Sequence, residues 1–90
     1  TQVAAREFAK YGIRVNAVSP GIVNSGFQVA NGITKREDYE SFLESQSKSY
    51  PFGIGDVSEI AKMVCFLLSE DSTWITGANI TVDGGRSVMV

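Results

Sequence analysis

The sequence predicts an α/β fold in which a parallel sheet is covered by helices on both faces. Helix-like and strand-like segments alternate in the order helix, strand, long loop with a helix, helix, strand, the tail of a parallel layered pattern. The first strand-like segment, Ile13 to Val18, carries apolar residues at both parities (Ile13, Val15, Ala17, Val18), as a strand covered on both faces does. The last helical segment, Ile60 to Leu68, has Lys62 as its one polar residue and is apolar round most of its circumference, so it needs cover on more than one side. Two strands do not satisfy a parallel sheet alone, and the chain opens without a methionine in what reads as mid-helix. It is therefore expected to be a piece of a longer chain.

Each element has local reasons. Thr1 to Lys10 sets Val3, Ala4 and Phe8 near one helical face, with Thr1 as a possible N-cap, and Gly12 stands where a left-handed residue ends a helix. Ile13 to Val18 is rich in β-branched residues and is bounded by Gly12 and by Pro20-Gly21, so it predicts a strand. Ile22 to Thr34 is rich in glycine and asparagine and predicts an irregular loop of a length usually kept for function. Thr34 with Glu37 three residues on makes a capping-box pattern, predicting a second helix that starts at Thr34 and buries a narrow seam of Tyr39, Phe42 and Leu43. The turn-rich connector Tyr50 to Gly55 leads to Asp56 as N-cap of a helix over Asp56 to Leu68. Ala78 to Val82 predicts the second strand, and Asp83-Gly84-Gly85 a turn.

Composition narrows the function classes. With 43% hydrophobic and 20% charged residues among 90, the chain reads as a soluble globular domain. Its net charge is −2 and its basic residues are scattered, so nucleic acid is not an expected partner. The longest strongly apolar run, Met63 to Leu68, is far too short for a membrane span, and nothing resembles a signal peptide. One cysteine and no histidine leave no internal disulfide and no plausible metal site, and fit a reduced, cytoplasmic setting.

In an open parallel sheet a ligand is expected at the carboxyl ends of the strands, which here is the loop after Ser19. Pro20 and Gly21 would let a flat ring lie against main chain. The backbone of Ile22 and Val23, with the hydroxyls of Ser19 and Ser25, could then bond an amide or a phosphate. The same Pro-Gly also serves as a plain turn. Asn16 reads as an amide that satisfies loop backbone, Cys65 as an inert small hydrophobe, Glu70 and Asp71 as solvated, and Trp74 and Phe27 as packing aromatics. No nucleophile and base are paired, no G-x-G-x-x-G occurs, and no tyrosine has a lysine four residues on: Tyr11, Tyr39 and Tyr50 are followed there by Val15, Leu43 and Ile54. This chain alone is expected to carry no catalytic residue.

The segments KYGIRVNAVSPGIVNSGF and GDVSEIAKMVCFLLSEDSTWITGANITVDGG, in this order and at this separation, resemble the C-terminal portion of the classical short-chain dehydrogenases/reductases over Thr1 to Arg86. The resemblance implies a Rossmann-like doubly wound parallel sheet, NAD or NADP as cofactor, and hydride transfer to or from a small carbonyl or alcohol substrate. By resemblance Pro20 and Gly21 pack on the nicotinamide, the Val23 backbone meets its carboxamide with Ile22 beside it, and Ser25 takes the place of a usual threonine. Residues 26–50 correspond to the variable substrate-binding region, with Phe27, Val29 and Ile33 as an apolar lid. The helix Asp56 to Leu68 and the strand Ala78 to Val82 match elements that pair subunits into dimers or tetramers. The connector PFGIGDVSEIA departs from the family pattern: it lacks the arginine of Pro-x-Gly-Arg-x-Gly, and Val57 replaces a frequent proline. A rival from another class is a non-catalytic module that retains the dimerising helix and strand.

Overall fold

A computed structural model describes residues 1–89 of the chain; Val90, within the expected 1–90 domain, lies outside them. The chain divides into two compact units, Thr1–Pro20 with Ser58–Val82, and Gly21–Val57 with the residues from Asp83 on.

In the first unit, α1 spans Gln2–Phe8 and tightens into a 3-10 turn over Ala9–Tyr11. Gly12 ends it at φ 72°, in the left-handed region that favours glycine, and its N–H donates to the Ala9 carbonyl at 2.9 Å. Strand β1 (Ala17–Pro20) pairs in parallel with β2 (Asn79–Val82), from Ala17 opposite Asn79 to Pro20 opposite Val82. The parallel sheet and the helix-strand alternation bear out the predicted α/β class.

The first strand is displaced from its expected bounds of Ile13 to Val18. Arg14 to Asn16 lie beside an irregular loop rather than a strand: the Val15 N–H donates to Thr76 Oγ1 at 3.1 Å, and the Gly77 N–H to the Val15 carbonyl at 2.8 Å. Pro20, outside the expected strand, is its last residue; the Ala17 N–H faces β2, so alternation turns the nitrogen of residue 20 away from it and the missing N–H takes no bond from the ladder.

Helix α4 spans Val57–Leu68, all but its first residue in this unit. Its last carbonyls are satisfied from outside the helix. Arg14 donates through Nη2 to Leu67 O at 2.8 Å and Ser69 O at 3.3 Å, and through Nη1 to Ile75 O at 3.1 Å. A guanidinium is well placed there, because a helix C-terminus carries partial negative charge. Ser72, 1% exposed, aims its hydroxyl at Phe66 O and Leu67 O from 2.8 and 3.0 Å. Asn16 acts on the same return loop, as expected: Nδ2 donates to Ile75 O and Oδ1 accepts from the Ala78 N–H, both at 3.0 Å. Of α4's residues only Leu67 is buried, whereas Val64, Phe66, Cys65 and Leu68 are exposed. The apolar circumference read from the sequence is thus largely uncovered.

The second unit contains an isolated parallel bridge, Val23 to Gly55, and two helices. The stretch 22–34, expected to be irregular throughout, contains the single helical turn α2 (Phe27–Ala30), bracketed by Gly26 at φ 77° and Gly32 at φ 71°. Helix α3 spans Tyr39–Ser47 after a 3-10 turn at Arg36–Asp38, so it begins five residues later than the Thr34 start expected. The Thr34-Glu37 capping box does not form. The Thr34 N–H instead donates to the Gln28 carbonyl at 3.2 Å, beside Ile33 at 2.8 Å, and closes the turn that follows α2. Asp83-Gly84-Gly85 is the turn expected. The Asp83 carboxylate accepts from the Gly85 N–H at 3.1 Å and the Ser87 N–H at 2.8 Å.

Two outcomes are expected of these contacts in the protein that carries this chain. Arg14→Leu strips charged donors from carbonyls at the end of α4 and should cost about 2 kcal/mol, seen as a lowered thermal midpoint. At Asp83, bonds from Ser87, led by its hydroxyl, hold the carboxyl below its ordinary value despite some opposing burial. The folded chain therefore favours the carboxylate: this stabilisation is complete above the unfolded value and is lost as pH falls through the lowered folded one. An NMR titration should place the Asp83 midpoint below the usual carboxylate range, and Ser87→Ala should raise it.

Candidate functional site

The segment that follows β1 meets the description of a site built from backbone. Pro20, exposed, closes the strand in the first unit, and Gly21 opens the second. A side chain at Gly21 would collide with the chain itself: a Cβ there would lie 2.8 Å from both the Tyr50 ring and Asp83 Cβ, and 2.9 Å from Asp83 Cα. Real Cβ contacts do not come so close, so the packing of Tyr50 and Asp83 alone requires glycine at this position.

From Ile22 on, the peptide groups alternate in direction, as in any extended strand. The Ile22 carbonyl accepts from the Gly55 N–H at 3.3 Å, and the Asn24 N–H donates to the Gly55 carbonyl at 2.9 Å. The Ile22 N–H is also committed, donating to the Tyr50 hydroxyl at 2.9 Å. Val23 lies between, and its N–H and carbonyl face away from Gly55. Among the described residues its N–H has no hydrogen-bond acceptor, and its carbonyl accepts only the Ser25 N–H at 2.9 Å. Both Ile22 and Val23 are candidates from sequence; of the two, Val23 has a free N–H and a carbonyl with one lone pair unused.

Ser25 is exposed, and its Oγ accepts from the Phe27 N–H at 3.2 Å, which leaves the hydroxyl proton available to donate outward. The Gly26 N–H donates to the Tyr39 hydroxyl at 3.0 Å. The three apolar candidates follow in and after α2: Phe27 and Ile33 are 57% and 61% exposed, and Val29 is half-buried. Between them Gln28 is 8% exposed, and its Oε1 is buried without a hydrogen-bond partner. The usual polarity is inverted here, with an unsatisfied amide inside and large apolar groups outside. An orphaned buried amide of this kind costs about 1–3 kcal/mol.

The two tyrosines were missed as contributors. By sequence Tyr39 reads as part of an apolar seam and Tyr50 as the start of a connector, yet each phenol accepts a backbone N–H from the loop 22–26. The one available signal was the choice of tyrosine over phenylalanine at positions that pack, since a buried phenol oxygen calls for a partner. The other aromatic outliers, Trp74 at 97% and Phe52 at 89% exposed, pack against little. Among the described residues no three His, Cys, Asp or Glu side chains gather to hold a metal ion, and no helix is long and apolar enough to cross a membrane.

A family model described as Enoyl-(Acyl carrier protein) reductase matches residues 1–87. The (3R)-3-hydroxyacyl-CoA dehydrogenase of Mus musculus is 41% identical over 86 residues, covering 94% of this chain and 30% of that protein. The levodione reductase of Leifsonia aquatica is 34% identical over 93 residues, covering 97% and 33%. A crystal structure of a short chain dehydrogenase family protein from Francisella tularensis superposes with a TM-score of 0.80 at 33% identity, over 99% of this chain and 39% of its own. The chain spans about a third of the length of the curated relatives it matches. The match of nearly the whole chain to that family model, and of its fold to that structure, means that the chain belongs to the short-chain dehydrogenase/reductase family.

Proposed function

We propose that the protein containing this chain is an NAD(P)-dependent oxidoreductase acting on a small carbonyl or alcohol substrate, and that these residues close its nicotinamide pocket and cover the substrate. The observation that carries the reading is the Val23 peptide edge beside the donor hydroxyl of Ser25: its N–H has no acceptor among the described residues, and its carbonyl, bonded only by the Ser25 N–H, keeps a lone pair free. A carboxamide presents one acceptor and one amino donor, and Val23 offers the complementary N–H and carbonyl on one edge. The residues present thus fit a nicotinamide amide. The bound nicotinamide would supply the hydride-accepting or hydride-donating carbon.

The chain's own part in this is binding and orientation. Val23 would fix the rotation of the amide, and Ser25 would donate its proton to the amide or a neighbouring phosphate oxygen. Pro20, Gly21 and Ile22 would form the wall, with Ile22 anchored to Tyr50 and Gly55 so that Val23 cannot rotate inward. The substrate region 26–50 would exclude water through Phe27, Val29 and Ile33. Support for a moving cover comes from the inverted polarity of α2 and its flanking positive-φ glycines, a segment that gains little from its present position. The names of the two relatives, a hydroxyacyl-CoA dehydrogenase and a levodione reductase, support alcohol and carbonyl chemistry. The uncovered apolar face of α4, with β2, is proposed to join subunits into a dimer or tetramer.

Titration of the protein that contains this chain with NADH and with NADPH tests the reading: saturable binding of one is expected, and binding of neither would leave the non-catalytic interaction module in its place. Ser25→Ala should raise the cofactor dissociation constant about fivefold, the equivalent of one hydrogen bond near 1 kcal/mol, with little change in thermal midpoint.

A further inference from the structure

The hydroxyl of Tyr50 sits in an unusual place for a group with no proposed role. Its residue is 9% exposed, and its oxygen accepts from the Ile22 N–H at 2.9 Å. Tyr50 is itself held by main-chain bonds, its N–H donating to Ser47 O at 3.0 Å and its carbonyl accepting from the Gly53 N–H at 2.9 Å. The edge of its ring lies where a Gly21 side chain would be. The same phenol therefore bounds the loop sterically at Gly21 and polarises it at Ile22, one residue before the peptide groups of Val23. At the other end of the loop the Tyr39 hydroxyl accepts from the Gly26 N–H at 3.0 Å, one residue after Ser25. Tyr39 begins α3, and Tyr50 lies in the turn just after that helix, its N–H bonded to the Ser47 carbonyl, so the two phenols come from opposite ends of α3.

Resting on the cofactor reading above, we infer that Tyr50, assisted by Tyr39, is a positioning residue that, together with the two Gly55 bonds, steadies the direction of the Val23 peptide groups and so selects for the nicotinamide end of the dinucleotide. Ring packing alone would be served by phenylalanine. The hydroxyl adds a fixed acceptor, and a fixed acceptor for Ile22 N–H sets the plane of the strand in which Val23 comes next. Neither phenol touches the reacting atoms in this assignment; both act through the loop backbone. A preorganised loop binds its ligand without first being ordered, so the effect falls on whatever group the loop contacts.

The test uses Tyr50→Phe in the protein that contains this chain, which removes one oxygen and keeps the ring against Gly21. Binding is measured with NADH or NADPH and, in parallel, with the nicotinamide-free analogue ADP-ribose or its 2′-phosphate. The dinucleotide should weaken about fivefold while the analogue changes less than twofold. A purely structural tyrosine would weaken both ligands alike or neither, and either result overturns the inference. Tyr39→Phe gives an independent measure should Tyr50→Phe fold poorly, and the same selective loss is expected there at smaller amplitude; an equal loss on both ligands counts against it. Wild-type protein that binds neither ligand would instead sink the cofactor reading on which the inference rests.

Discussion

The parallel pairing of β1 and β2 depends on the return loop after α4 being held still. Those two strands are four residues each and some sixty residues apart in sequence, so their ladder offers few bonds against a large closure entropy. The clamp formed by Arg14, Asn16 and Ser72 supplies what the ladder lacks. It takes the carbonyls of Phe66, Leu67, Ser69 and Ile75 and the N–H of Ala78, all of which belong to the end of α4 or to the loop leading to β2. Because Arg14 and Asn16 immediately precede β1, the residues that start one strand also determine where the other begins. A helix end, a loop and a strand register are thereby made into one cooperative piece.

The second unit is organised by a different constraint, the close approach at Gly21. Its missing side chain lets the Tyr50 ring and the Asp83 backbone close on the loop, and that proximity brings the Tyr50 hydroxyl within reach of the Ile22 N–H. Peptide alternation then determines the rest: Ile22 and Asn24 are spent on Gly55, and Val23 is left facing outward. In the proposed function this segment acts through main chain, so side-chain identity at Val23 would matter less than the residues around it. The supporting residues come from positions up to sixty residues away in sequence, which is why the loop itself contains so little that looks chemical.

That also explains what could be read in advance and what could not. The parallel α/β class followed from both-parity apolar residues in 13–18 and from the over-apolar α4, signals that depend only on burial. Gly12 and Asp83-Gly84-Gly85 were legible because a left-handed residue or a carboxylate-capped turn is a local event. The start of β1 was misplaced because Arg14 to Asn16 have strand-like composition, while their partners at 75–78 form a loop that no local pattern reveals. The capping box at Thr34 failed for a similar reason: its N–H found the Gln28 carbonyl, a competitor created by α2. Val23, Ser25 and the neighbouring candidates rest on family resemblance, and the tyrosines bonded to that loop were not legible at all, since a phenol in an apolar seam reads as bulk until its acceptor role is seen.

The Arg14 clamp joins a permanent cation to neutral carbonyl oxygens rather than to carboxylates. Ion-dipole contacts of this kind are short-ranged and half-buried, so dissolved salt screens them far less than it screens a surface pair such as Lys62 with Glu59, whose side chains are 71% and 55% exposed. The strand register should consequently tolerate high ionic strength. Attraction of the proposed dinucleotide, which bears phosphates, would by contrast be a longer-range matter that salt weakens. A salt series thus separates the integrity of this fold from the proposed binding of an anionic cofactor, two properties that heat or denaturant would change together.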